Sequence, residues 1–173
     1  MISTQQPLEK GLDTTRALIY FSIAYGVVTV LATATTVTYG IIYHSPQPEE
    51  LGVSLLKAPS FVATVPYHVL IMLLVWPVFA WVYFRKRQQG NHDKEVRETL
   101  RLSFLWLGAA MIVDFVCFVL IKHPWSLTPH EFYVEYEPWI GLIYTAIFLS
   151  PLICLGLLRL FSKRVDAQIV RLE

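Results

Sequence analysis

Apolar residues in this chain gather in four long runs separated by short polar stretches. They show neither the alternation of a half-buried strand nor the single stripe of a soluble helix. The runs cover about 17–43, 61–84, 102–121 and 139–158. Each holds the roughly 20 mostly apolar residues that a bilayer demands of a spanning helix. The pattern predicts an all-α integral membrane fold: one domain over 1–173, a four-transmembrane-helix antiparallel bundle. The first run is longer than a bilayer needs and should tilt or project beyond it.

Polar connections between the runs carry their own signals. Thr128-Pro129-His130-Glu131 places an N-cap residue, a proline at the first helical position and a glutamate at the capping-box position. A short helix from Pro129 to Tyr136 is expected, with Phe132, Tyr133 and Tyr136 on one side and Trp125 and Trp139 flanking it. Such aromatics favour the headgroup level, so this helix should lie along the membrane surface. Pro48-Glu49-Glu50 followed by Leu51, Leu55 and Leu56 suggests a second short interfacial helix. Gln88 to Asn91 supplies a turn. From Asn91 to Arg101 the third helix should continue below the membrane as a solvated face, with Asp93–Arg97 and Lys94–Glu98 at i,i+4.

Charge orients the bundle. The middle connection carries Arg85, Lys86, Arg87, Lys94, Arg97 and Arg101, and the tails carry Lys10, Arg16, Arg159, Lys163, Arg164 and Arg171. The other two connections have only Lys57 and Lys122. By the positive-inside rule both termini face the cytoplasm, and the short interfacial helices are extracytoplasmic. The first apolar run follows a polar tail, Met1 to Arg16, and is too long for a signal-peptide core, so no targeting peptide is expected.

Composition agrees with a membrane protein. Of 173 residues, 55% are hydrophobic and only 16% charged, against roughly 25% charged in a soluble domain. A net charge of +1 argues against nucleic acid as a partner. Cys117 and Cys154 form no CxxC motif, and counting along the helices puts them roughly 15 Å apart in depth, too far for a disulfide. They read as small packing residues.

Two ionisable side chains interrupt the apolar runs. His68 and Asp114 each lie about seven residues below the outer end of their run, or roughly 10 Å deep. Ionisable groups are costly in hydrocarbon and by default mark a functional site. Ala110 and Cys117 share the face of Asp114, and Met111, Phe115 and Phe118 form a bulkier opposite side, which turns the carboxylate into the bundle. Thr64 stands one turn from His68, and Pro66 interrupts the backbone bonding beside it. Thr36 and Tyr39 of the first run and Tyr144 and Thr145 of the fourth reach a comparable depth. These seven residues are the candidate ligand-binding set, in an outer-leaflet pocket. His68 and Asp114 are also the only catalytic candidates, since a His–Asp pair can relay protons or serve as an acid–base group. The competing reading is a structural pair that fixes helix register.

Ser22, Gly26, Thr29, Thr33, Thr36 and Gly40 form a small and hydroxylated stripe along the first run. It predicts a tight packing seam deep in the bundle, with a polar cavity lining toward the outer end. His123, His130, Glu131, Glu135 and Glu137 gather near the outer loop, with His44 and Glu49 across from them. Their spacing matches no metal motif, so a solvated surface is expected and no metal site.

Phosphate loops, nucleophile elbows and paired cysteines are missing from the sequence. The leading expectation is therefore a small non-enzymatic membrane protein that binds an apolar or amphipathic ligand, or a subunit of a membrane complex. Its partners would be membrane lipid, an apolar small molecule, and a membrane-protein partner or further copies of itself. The alternatives are an intramembrane acid–base enzyme acting on a lipid-like substrate, or a proton-coupled transporter, both using His68 and Asp114. No cofactor is indicated.

Overall fold

The computed structural model describes residues 12–53, 55–85, 92–123 and 126–169. It is all-helical there, with four helices long and apolar enough to cross a membrane: Thr14–Ile42, Pro59–Arg85, Asp93–Leu120 and Trp139–Phe161. Helix α1 is Thr14–Ile42, α2 Pro48–Leu51, α3 Pro59–Arg85, α4 His92–Asp114 and α5 Trp139–Ile169. From Phe115 to Leu120, α4 continues as a wider π-helical turn, and Glu131–Glu135 forms a second one. The chain thus has the make-up of a small multi-pass membrane protein. The turn expected at Gln88 to Asn91 lies outside the described residues, as do Trp125, Lys10, Lys86, Arg87 and Arg171.

Local chemistry sets the helix ends. Asp13 caps α1 by accepting the Arg16 backbone N–H at 3.0 Å. The Arg16 guanidinium reaches the Val82 and Tyr83 carbonyls at 3.2 and 2.8 Å, where the last turn of α3 lacks intrahelical donors. The expected short helix of the first loop forms as α2, closed by Gly52 in the left-handed conformation (φ 62°). The Thr128–Glu131 capping box also forms: Thr128 N–H donates to Glu131 Oε2 at 2.8 Å, and Glu131 N–H returns to Thr128 Oγ1 at 3.3 Å. Proline does not end α3 or α5, which run through Pro66, Pro77 and Pro151.

Packing follows a ring in which α1 lies on α3, α3 on α5 and α5 on α4, with a smaller α1–α4 contact. Successive spans alternate in direction, so α3 and α5 run parallel. The expectation that all neighbours are antiparallel is corrected on that point. The backbones of α3 and α4 stand apart and are bridged by large rings, Trp76 against Trp106 at 5.3 Å. Trp106 Nε1 also donates to the Ala17 carbonyl at 2.9 Å. Rings thereby fill the centre of the half that holds the chain ends, with Phe21, Ala24, Ala80 and Leu102 around them.

The stripe on α1 does not form the expected seam. Ser22 and Gly26 are exposed, and a Cβ on Gly26 would meet nothing within 4 Å. Ser22 and Thr29 hydroxyls bond to the carbonyls of Leu18 and Tyr25, so they need no neighbouring helix. Only at the other end of α1 is the stripe packed, where Thr36 is buried and Gly40 faces Ser60. Packing and cavity lining thus occur in the reverse order from that expected.

Above the centre the loops fold over the bundle. The π-helical end of α4 leaves carbonyls without helical donors, and the chain returns to cover two of them. The His123 ring reaches the Cys117 carbonyl, and Leu127 N–H donates to Phe118 O at 2.8 Å. Leu56, Val119, Leu127, Phe132 and Ile140 make a second apolar cluster there. Phe132 stacks on Phe118 at 5.9 Å and is 3% exposed. The aromatics of this short helix therefore turn partly into the protein, not only toward headgroups. Lys57 ties the two loops together through Glu131 at 2.5 Å and Glu135 at 3.2 Å.

Candidate functional site

A cavity of about 140 Å³ lies between α1 and the rest of the bundle. Its long walls are apolar: Val28 and Ala32 from α1, Met72 and Trp76 from α3, Ile143 and Ile147 from α5. Leu56, Phe61, Phe132 and Tyr136 close the loop end. Polar groups enter at few places, among them Asp114, His68, Thr29 and Thr33.

Asp114 and His68 both line this cavity, yet no hydrogen bond joins them. Asp114 accepts from the Tyr25 hydroxyl at 2.5 Å. The Tyr144 hydroxyl lies beside the same carboxylate, buried, and makes no well-formed hydrogen bond. His68 belongs to a different cluster. Its Nε2 meets Thr36 Oγ1 at 3.1 Å, and Thr36 Oγ1 meets Thr64 Oγ1 at 2.9 Å. Thr64 also reaches the Ser60 and Phe61 carbonyls, and Phe61 sets its ring edge against the imidazole at 5.1 Å.

The two clusters use different residues of α1. Tyr25 meets Asp114, and Thr36, eleven residues on, meets His68. On α3 and α4, His68 and Asp114 each stand eight residues from the Trp76–Trp106 ring contact, on the same side of it. Gly40 packs at Ser60 near the loop end of both helices.

Of the other candidates, Thr36 and Thr64 are buried in the His68 cluster. Tyr39 packs its ring on Tyr43 at 4.4 Å and does not line the cavity. Thr145 lies on an exposed face of α5, away from the cavity. Ala110 is buried and Met111 and Phe115 are exposed, as the reading of the Asp114 face requires. Phe118 departs from it and lines the cavity, because the wider π turn rotates the residues after Asp114.

Sequence reasoning missed Tyr25, Met72, Trp76 and Phe61. Only Tyr25 carried a signal, a phenol inside an apolar run. Spacing along one run does not show which group on another helix it meets.

Outside the spans the charges engage one another. Glu131, bonded first to Lys57 and then to Thr128, is held down at about 2 from its ordinary 4.5. The same contacts hold the Lys57 ammonium above its usual value. Burial pushes the Tyr136 phenol up, with a smaller contribution from the Asp114 charge. His130 Nδ1 lies 3.3 Å from Glu135. Among the described residues, no three His, Cys, Asp or Glu side chains converge to hold a metal ion.

No protein-family model, curated protein or solved structure matches this chain. The class of protein rests on the fold itself: a multi-pass bundle with an apolar cavity inside it.

Proposed function

We propose that this protein is a non-catalytic membrane protein that binds an apolar or amphipathic small molecule in the cavity beside α1. The observation that carries the reading is the cavity's make-up. Ligand sites are mostly apolar with a few placed polar groups, and here an aliphatic and aromatic wall runs between Asp114 and His68. A cavity of about 150 Å³ is enough to admit benzene, so the 140 Å³ here suits a small apolar molecule or one segment of a chain. An acid–base enzyme or a proton-coupled transporter would use His68 and Asp114 together, and here each bonds to a partner of its own and not to the other, which favours binding over either.

The membrane orientation follows the charges. Arg16, Arg85, Arg101 and Arg159 belong to the end of the bundle where α1 begins and α5 finishes, which supports a cytoplasmic side for both termini by the positive-inside rule. Reporter fusions to each terminus and to the 43–58 loop test this, and a terminus found outside would reverse it.

An octyl diazirine tests the binding reading. After photolysis in lipid bilayers, mass spectrometry should find it on Met72, Ile143 or Ile147. Labelling confined to lipid-facing positions such as Leu70 and Ile112, both more than half exposed, would sink the proposal.

A further inference from the structure

We infer that the ligand enters sideways from the membrane between α1 and α4, and that it docks a neutral oxygen acceptor (an alcohol or ketone) on the indole N–H of Trp76. The inference rests on the binding reading above and names the ligand class for that cavity.

Two independent features carry it. The first is the wall. Thr29 and Thr33 line the cavity and are also exposed on the outside of the bundle. Two hydrogen bonds join α1 to α4, Trp106 to Ala17 and Tyr25 to Asp114, and both lie below that level. Beyond Asp114 the wall of α4 gives way to its π turn, which contributes Phe118. Val30, next to Thr29 on α1, and Met111 and Phe115, within a turn of Asp114 on α4, are exposed apolar residues, so this side of the bundle faces hydrocarbon and not water.

The second feature is an unsatisfied donor. Trp76 is 1% exposed and lines the cavity, and its Nε1–H has no acceptor. A buried donor left unpaired is costly, and nearly all find a partner. An oxygen acceptor on a guest would satisfy this one. Asp114, on the same cavity wall, narrows the class. A carboxylate guest would bring a second acidic group into an apolar cavity that already holds Asp114. An ammonium guest could pair with Asp114 but would present donors to the Trp76 donor and leave it unmet. Asp114 is already engaged by Tyr25, with the Tyr144 hydroxyl in reserve. The guest that completes the set is an alkyl chain with a neutral oxygen.

The test uses the full chain in lipid nanodiscs with its tryptophans labelled with ¹⁵N at the indole. The five tryptophans are assigned by single Trp→Phe variants, and 1-octanol, octane and octylamine are titrated in turn. Octanol should move the Trp76 N–H resonance downfield and octane should not. Trp76→Phe, which keeps a ring, should weaken octanol about fivefold, the worth of one neutral hydrogen bond, and leave octane unchanged. Thr33→Trp at the mouth should slow association of every probe. Equal binding of octane and octanol with an unmoved N–H would overturn the oxygen-acceptor class and leave the cavity reading intact. Tighter binding of octylamine, indifferent to Trp76→Phe, would assign a cationic guest and overturn the class in another way. Unchanged association in Thr33→Trp would overturn the side entry. No perturbation by any probe would remove the binding reading as well.

Discussion

The two polar clusters on the cavity wall are built differently. Around His68, the Thr36 hydroxyl joins the imidazole and Thr64, and Thr64 returns to the backbone of its own helix, so every member is met. Asp114 instead takes the Tyr25 hydroxyl, and the Tyr144 hydroxyl beside it and the Trp76 indole N–H of the same cavity make no well-formed hydrogen bond. The first arrangement ties α1 to α3 at the loop end. The second keeps hydrogen-bonding capacity in hand. In an apolar medium each unmet group is costly, so spare capacity on the wall of a cavity is the stronger pointer to a guest. A polar residue within a span is thus less telling than its state of satisfaction.

The comparison can be broken first at Tyr25. Tyr25→Phe removes the donor to a buried carboxylate and should cost about 2–3 kcal/mol, read as a lowered Tm in detergent. Adding Asp114→Asn should recover much of the loss. A Tm within error of the parent protein would mean that Tyr25 does not support Asp114. At the His68 cluster, Thr36→Val strips the hydroxyl shared by two partners, with an expected cost of about 1–2 kcal/mol by the same assay. A double-mutant cycle compares the clusters directly. His68→Ala and Asp114→Asn should add to within about 0.5 kcal/mol, as separated sites do. Coupling above about 1 kcal/mol would mean that the two groups act as one pair after all.

The smallest effect belongs to the exposed latch at the loop end. Glu131 titrates lower in the folded protein than its ordinary 4.5. Its contribution is therefore complete above about pH 4.5 and is lost as pH falls through about 2. Lys57 is raised, so its share is complete below its ordinary 10.5 and is lost only at higher pH. Amide exchange over residues 131–136 should accelerate between pH 4.5 and 2 beyond the intrinsic rate. Glu131→Gln should flatten that dependence, and an unchanged profile in this variant would show that the latch does not hold the loop.

Much of the fold could be read from the letters. The four apolar runs match the four long helices to within a few residues, apart from the charged extensions at the start of α4 and past Leu158. The capping box at Thr128 formed because its chemistry lies within four residues. The site was legible only in part. His68 and Asp114 stood out as ionisable groups in apolar runs and do line one cavity, but their partners did not follow from spacing. Thr145 and Tyr39, placed by depth, turned away because angular position on a helix is not fixed by depth. Ser22 and Gly26 looked like packing residues, although a helix face of small residues can be met by its own backbone.

By itself the sequence determined the helices, their lengths, their likeness to membrane spans and the two buried ionisable groups, because these depend on composition and short-range bonding. Only the tertiary structure decided that Tyr25 serves Asp114 and Thr36 serves His68, that the backbones of α3 and α4 stand apart, and that Trp76 keeps a donor free. Those outcomes depend on how far one helix slides and turns against another. Large rings such as Trp76 and Trp106, meeting across the bundle, set that register, and no spacing along a single run encodes it.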